Sequence, residues 1–256
     1  VLAALLAWET AAPFLPFFAN RPRERTRHAA RNVALGLLNA FVTAAIFSHA
    51  WQWAAEFSET RQIGLLHRVQ FAGWHRVFSA VLLFDLWMYA WHRLAHGVPM
   101  LWKFHRTHHT DAQMDVTTAN RFHLGEIIAS SVLRIPVIAL LGIRLPELAL
   151  YEAAMFAVVQ FQHANISVGP RADALLRLFI VTPFIHKVHH SRWQPETDSN
   201  FASLFSIWDR LFRTQRLRDD PRTIQFGLDD FDAPAHHTLG DRKSTRLNSS
   251  HGYISY

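Results

Sequence analysis

Four clusters of histidine carry the chemistry available to this sequence. His92 and His96 stand four apart in His-Arg-Leu-Ala-His, and His105, His108 and His109 form an HxxHH pattern. His163 stands alone in Gln-Phe-Gln-His-Ala-Asn, and His186, His189 and His190 repeat HxxHH. On a helix, spacings of three and four put side chains on one face, so each multiple cluster aims two or three imidazoles at a common point. Adjacent residues such as His108 and His109 diverge by about 100°, so one HxxHH can serve two metals side by side. Neutral imidazole binds Fe, Zn, Cu and Ni, and so many ring nitrogens without a thiolate suit two borderline divalent ions. Nine histidines divide as four or five per metal, which leaves positions for oxygen or water, as a redox or hydrolytic catalyst requires. A single HxxxH is often an accident of a helix surface. An HxxHH that occurs twice is not.

Two other metal patterns fail on detail. A zincin needs HExxH with Glu as general base, but Arg93 follows His92 and no cluster contains Glu. A carboxylate-bridged site in a ferritin-like bundle needs Glu-x-x-His pairs, and Glu126 lies three residues after His123, in the reverse order. The 256 residues contain no Cys, which removes disulfides, zinc–thiolate sites, Fe–S clusters and Cys nucleophiles together. No Lys/Arg stripe with interleaved aromatics appears, so nucleic acid is not an expected partner. No GxGxxG or flavin motif is present.

The elements that must hold these clusters are strongly apolar. Val33 to Trp53 is 21 residues without Asp, Glu, Lys or Arg, long enough to cross a hydrocarbon core of about 30 Å. Val1 to Ala19 is apolar apart from Glu9 and reads as the remnant of an earlier membrane helix. Val77–Trp91, Ile127–Ile143 and Leu148–Phe161 are apolar stretches with isolated charges at Asp85, Arg134 and Glu152. Inside a membrane bundle such positions face inward or lie near an interface. Leu145-Pro146 predicts a tight hairpin between the last two. The expected fold is all-α: a polytopic bundle of about four to five membrane helices with a cytoplasmic, histidine-rich helical cap. Arg21, Arg23, Arg25, Arg27 and Arg31 crowd eleven residues, so the positive-inside rule puts that loop in the cytoplasm. Counting crossings from there brings every histidine cluster to the same side.

Asp241 to Tyr256 reads like the translation of a common short-read sequencing adapter and is expected to be an artefactual, disordered tail. Without it the formal charge falls from +6 to +4. A modest basic excess in a hydrophobic chain suits loops lying against an anionic membrane surface. The expected domain is a single one over residues 1–240, with its core over 72–215.

His92–His96, His105–His109 and His186–His190 resemble the eight-histidine signature of the fatty acid hydroxylase and sterol desaturase superfamily. The similarity extends over Asn120-Arg-Phe-His-Leu-Gly-Glu126, His190-Ser191, Glu196-Thr-Asp-Ser-Asn200 and Trp208-Asp-Arg-Leu-Phe212. These blocks most resemble the bacterial sterol desaturase branch, which points to a bacterial inner membrane. The resemblance implies a membrane-bound non-haem centre of two Fe ions that uses O2 to attack an unactivated C–H bond of a lipid such as an acyl chain or sterol. It further implies a separate electron donor of ferredoxin or cytochrome type. Hydroxylation is the leading expectation, with desaturation second on the same scaffold, since the ligand set does not separate them. A non-catalytic metal-binding or metal-transport membrane protein is the alternative from another class. Many relatives carry a paired histidine where this chain has Gln162-His163, so Gln162, Asn165 and His123 are candidates to complete the site, directly or through water. Asp85 and Tyr89 fall on the His92/His96 face, and a carboxylate there can orient a ligand imidazole through its second nitrogen. Asp198 and Asn200 are candidates for the same role after the last cluster.

Overall fold

A computed structural model describes residues 1–69 and 73–231 of the chain. The adapter-like tail lies outside the described residues, as do His236 and His237. Among the described residues twelve α-helices follow one another: α1 (Leu2–Ala11), α2 (Pro22–Val42), α3 (Ser48–Arg61), α4 (Leu65–Arg68), α5 (Trp74–Gly97), α6 (Pro99–His109), α7 (Leu124–Leu141), α8 (Leu145–His163), α9 (Pro170–Leu176), α10 (Pro183–His189), α11 (Gln194–Thr197) and α12 (Ile207–Leu211). Among the described residues there is no strand, only the isolated bridges Ile180–Phe205 and Ser191–Phe226.

The local sequence explains where these helices begin and end. Proline stands in the first turn of α2, α6, α8 and α10, where its missing N–H removes a donor that has no partner anyway. Thr182 caps α10 through its hydroxyl. Gly142 ends α7 at φ +74°, a left-handed conformation that a Cβ disfavours, and the chain reverses into α8. The Arg144 backbone N–H donates to the Glu147 carboxylate at 2.9 Å and closes that hairpin. A π-helical turn over Thr43–Phe47 joins α2 to α3, so the helical path is unbroken from Pro22 to Arg61.

Helices α3, α5, α7 and α8 share one apolar core built around Trp51, Ala54, Phe84, Trp91, Ile138 and Tyr151. The opposite faces of the bundle are also apolar: Leu37, Phe41, Ile46, Trp53, Leu140 and Phe156 are all exposed. In water that surface would drive association, whereas acyl chains match it. The segments Pro22–Arg68 and Leu124–Leu141 are long and apolar enough to cross a membrane. The chain is a membrane protein.

The N-terminal stretch differs from expectation. It is helical only as far as Ala11, because Pro13 and Pro16 cannot continue the helix. Its one charge is the reason it packs inward: buried Glu9 accepts the backbone N–H groups of Val116 (3.0 Å) and Asn165 (2.9 Å) and pairs with Arg25 at 3.1 Å. A carboxylate with that many partners ties α1 to the loops around the histidines instead of crossing a bilayer alone.

Candidate metal centre

Four elements converge to bring the histidines together: the end of α5, all of α6, the last turn of α8, and α10. His92, His96, His105, His109 and His189 form one group, and His108, His163, His186 and His190 a second; within each group the ligand-capable atoms lie within 4.8 Å of one another. All but His92 are buried. The two HxxHH helices each serve both groups, since the rings of His108 and His109 stand at 90° to each other, as do those of His189 and His190 at 88°. The groups adjoin, with His109 and His190 stacked at 4.5 Å between ring centroids.

The second ring nitrogens show how five of the nine imidazoles are held. His92 Nδ1 donates to the carbonyl of Phe201 at 2.8 Å, His163 Nδ1 to Val159 at 2.7 Å and His189 Nδ1 to Ser199 at 2.6 Å. His105 Nδ1 donates to Glu126 Oε1 at 2.8 Å, and His96 Nδ1 faces Asp198 Oδ1 at 3.3 Å. Donation from Nδ1 fixes the tautomer and leaves the lone pair on Nε2. Those lone pairs then meet. His92 Nε2 lies 3.2 Å from His105 Nε2, which lies 3.2 Å from His109 Nε2. His163 Nε2 lies 3.0 Å from the Nε2 atoms of both His108 and His186. His92 and His105, each donating from Nδ1, meet there as two acceptors, which cannot bond each other. A shared cation resolves the conflict, and the donor set of neutral, buried imidazoles fits a metal ion.

Protons are a poor substitute for that cation. Outside the membrane helices, burial pushes the pKa values of His108, His109, His186 and His190 well below that of free imidazole, and that of His189 down to about 3; neighbouring imidazoles push further the same way. This sets a pH dependence. Above the unfolded value of about 6.5, folded and unfolded chains are both neutral at these rings. As pH falls from there towards 3, the unfolded chain takes up protons that the folded chain refuses, so stability is lost with acidification. Protons also compete with metal for the same lone pairs. Titration from pH 7.5 to 5 should therefore release metal and lower the melting temperature together, as read by metal analysis after desalting and by thermal unfolding.

The supporting residues expected from sequence divide. Asp198 touches a cluster histidine. Asp85 does not: its carboxylate accepts from Tyr151 Oη (2.9 Å), Trp208 Nε1 (2.8 Å) and the backbone N–H groups of Leu204 (3.2 Å) and Phe205 (2.9 Å). It fastens to α5 the loop whose Phe201 carbonyl receives His92, and so acts through the backbone. Tyr89 also misses the rings, pairing with Thr214 Oγ1 at 2.9 Å and stacking on Phe212. Asn200 accepts from the Arg216 N–H and donates to the carbonyls of Ile185 and Arg216, at a positive φ of 55°. It shapes the same loop. His123 caps α7 by accepting from the Gly125 N–H at 2.9 Å and stacks on Phe104, outside both groups. Asn165 clasps Leu15 through both its N–H and C=O. Of the three candidates to complete the site, Gln162 alone lines the cavity beside His163, its Oε1 without a partner among the described residues.

Sequence reasoning missed Glu126. Its spacing from His123 was the wrong signal; its place on the first turn of α7, facing α6, decides its partner. Arg121 was likewise unnoticed. It braces α6 by donating to the Thr107 carbonyl and to Thr110 Oγ1, each at 3.0 Å.

A cavity of about 250 Å³ opens on this centre. His92, His105, His108, His163 and His186 line one end, with Trp91, Met88, Ile127, Met155, Phe156 and Val159 along its apolar walls between α5, α7 and α8.

Comparison with known proteins agrees with this geometry. The family model for fatty acid hydroxylases matches residues 77–214. Ornithine lipid hydroxylase OlsE of Rhizobium tropici is 30% identical over 160 residues, covering 60% of this chain and 47% of that protein. Human alkylglycerol monooxygenase is 31% identical over 154 residues, 59% of this chain and 32% of its own length. Human cholesterol 25-hydroxylase is 25% identical over 150 residues, 57% and 53% respectively. The chain thus spans about half or less of the length of these relatives, and no solved structure matches it at a significant level. With the matched region enclosing all nine clustered histidines, the chain belongs to the fatty acid hydroxylase family.

Proposed function

We propose that this protein is a membrane-bound non-haem di-iron oxygenase that oxidises a C–H bond of a lipid, by hydroxylation or desaturation. Its nine clustered histidines would hold two Fe ions, five rings around one and four around the other. The observation that carries this reading is the set of imidazole Nε2 atoms facing one another at 3.0–3.2 Å in a buried pocket. Bound there, iron supplies the oxidising power, with O2 as oxidant and a separate ferredoxin- or cytochrome-type protein as electron source.

The chain's own residues do the rest. Glu126 and the Phe201, Ser199 and Val159 carbonyls hold the imidazoles in one orientation and tautomer. Trp91 and Ile127 keep water from the reacting end of the cavity, and with Met88, Met155 and Val159 they present a wall that an acyl chain or sterol ring matches. Four to five helices crossing the inner membrane, with the histidine layer at the cytoplasmic edge, would let lipid arrive from one side and electrons from the other. Outcome on a given lipid, alcohol or alkene, is set by which C–H bonds the cavity brings near the histidines.

The test is to purify the protein from iron-supplied cells, measure metal per chain, and follow lipid turnover with reductant and O2. About two irons per chain and oxidised lipid that needs both co-reactants are expected. Metal flux across vesicles without any lipid product would instead identify a transporter and overturn the proposal.

A further inference from the structure

Away from the histidines, the cavity ends on a charged pair that metal binding does not use. Arg134 of α7 and Glu152 of α8 both line it, and Arg134 Nη1 donates to Glu152 Oε1 at 2.6 Å. Ionisable groups inside helices that present apolar faces to lipid are costly unless their hydrogen-bonding capacity is met. For Arg134 it is not met. A guanidinium carries five N–H donors; Nη2 reaches only the thioether of Met88 at 3.4 Å, a weak acceptor, and Nε has no partner among the described residues. The plane is nonetheless held, with Trp51 and Phe84 rings at 5.2 and 5.8 Å. Arg134 is only 8% exposed. It is a donor fork with unused capacity in the wall of the cavity. Glu152 and half-exposed Phe156 bring that end of the cavity to the outer face of the bundle.

The distance from this fork to the histidines is set by the helices. Met88, in contact with Arg134, lies one turn before His92. Glu126, in contact with His105, lies a little over two turns before Arg134, or roughly 12 Å. Ile127, Met155 and Val159 make the intervening wall apolar.

We infer that Arg134 is a specificity-determining residue that hydrogen-bonds an oxygen atom of a long-chain lipid, a hydroxyl, ether or carbonyl oxygen, and so presents a C–H bond several carbons further along the chain to the histidines. This rests on the oxygenase reading for its purpose but not for its measurement. The oxygen replaces the missing partners of Nη2 and Nε, while Glu152 keeps the fork oriented. An unsubstituted hydrocarbon leaves those donors unpaired and binds more weakly.

The test uses the full chain in detergent micelles, without reductant, and compares equilibrium binding of 1-hexadecanol with that of n-hexadecane. Wild type should favour the alcohol by at least about tenfold, the effect of a hydrogen bond to a charged group. The double variant Arg134→Met, Glu152→Leu replaces the pair by apolar side chains and avoids stranding a carboxylate. It should bind the two probes nearly equally, with hexadecane affinity maintained. Arg134→Lys retains the charge and the partner of Glu152, so it folds even where the double variant does not; it lacks the fork and should lose most of the preference. Equal binding by wild type, or an undiminished preference in both Arg134 variants, overturns the inference. Discrimination in a protein that never oxidises lipid would sink the oxygenase reading alone, and oxidation without discrimination would sink this one alone.

Discussion

Replacing His108 with alanine is expected, on the proposed di-iron reading, to abolish lipid oxidation and to reduce bound metal from two ions to about one per chain. His108 Nε2 lies 3.0 Å from His163 Nε2, and its ring stacks on Phe122 at 4.4 Å. Alanine removes one of four imidazoles in its group and puts water in its place, so the ion there is held far more weakly. The five-ring group keeps every member. Loss of an outer partner of a ligand typically lowers metal affinity or activity by about 10–100-fold, so loss of a ligand should exceed the upper figure. Metal analysis and turnover on the same preparation check this. Full metal content with normal turnover in His108→Ala would mean that the second group is not part of the reacting centre.

The second large effect is expected at Glu126. Its Oε1 accepts from His105 Nδ1 at 2.8 Å, while Oε2 has no partner among the described residues and the residue is nearly fully buried. Glu126→Ala removes the acceptor that fixes which nitrogen of His105 carries the proton. It should lower turnover and metal affinity by about 10–100-fold. Glu126→Gln still offers a carbonyl oxygen and should recover part of the loss. A merely structural role predicts something else: both variants would unfold at lower temperature, yet retain wild-type metal affinity when folded. A competition titration with a chelator separates the two outcomes.

Much of the site was legible before any coordinates. Residue type and short spacing carry the information, because His-x-x-His-His on a helix has few geometries and imidazole has few roles at that density. All nine histidines so identified meet in two adjoining groups. Apolar length marked α2–α3 and α7 in the same way, and Leu145-Pro146 marked the hairpin into α8. Less legible was Val1 to Ala19, where hydropathy outweighed two prolines and a carboxylate that finds its partners more than a hundred residues away.

The residues that orient the rings were the hardest to read, and the reason is physical. Three of the five Nδ1 acceptors are backbone carbonyls, of Val159, Ser199 and Phe201, and a carbonyl leaves no trace in side-chain identity. Asp85 lay on the right helical face, but Tyr151, Trp208 and the 204–205 backbone reached its carboxylate first. Glu126 had no local partner to suggest it.

By itself the sequence determined which side chains can bind metal, and that long apolar helices must carry them, because both properties are periodic and local. Only the tertiary structure decided how nine rings divide between two groups, which nitrogen each presents, and where a cavity runs between the helices. Those depend on contacts between segments tens of residues apart, and such contacts are selected by packing, not by spacing along the chain.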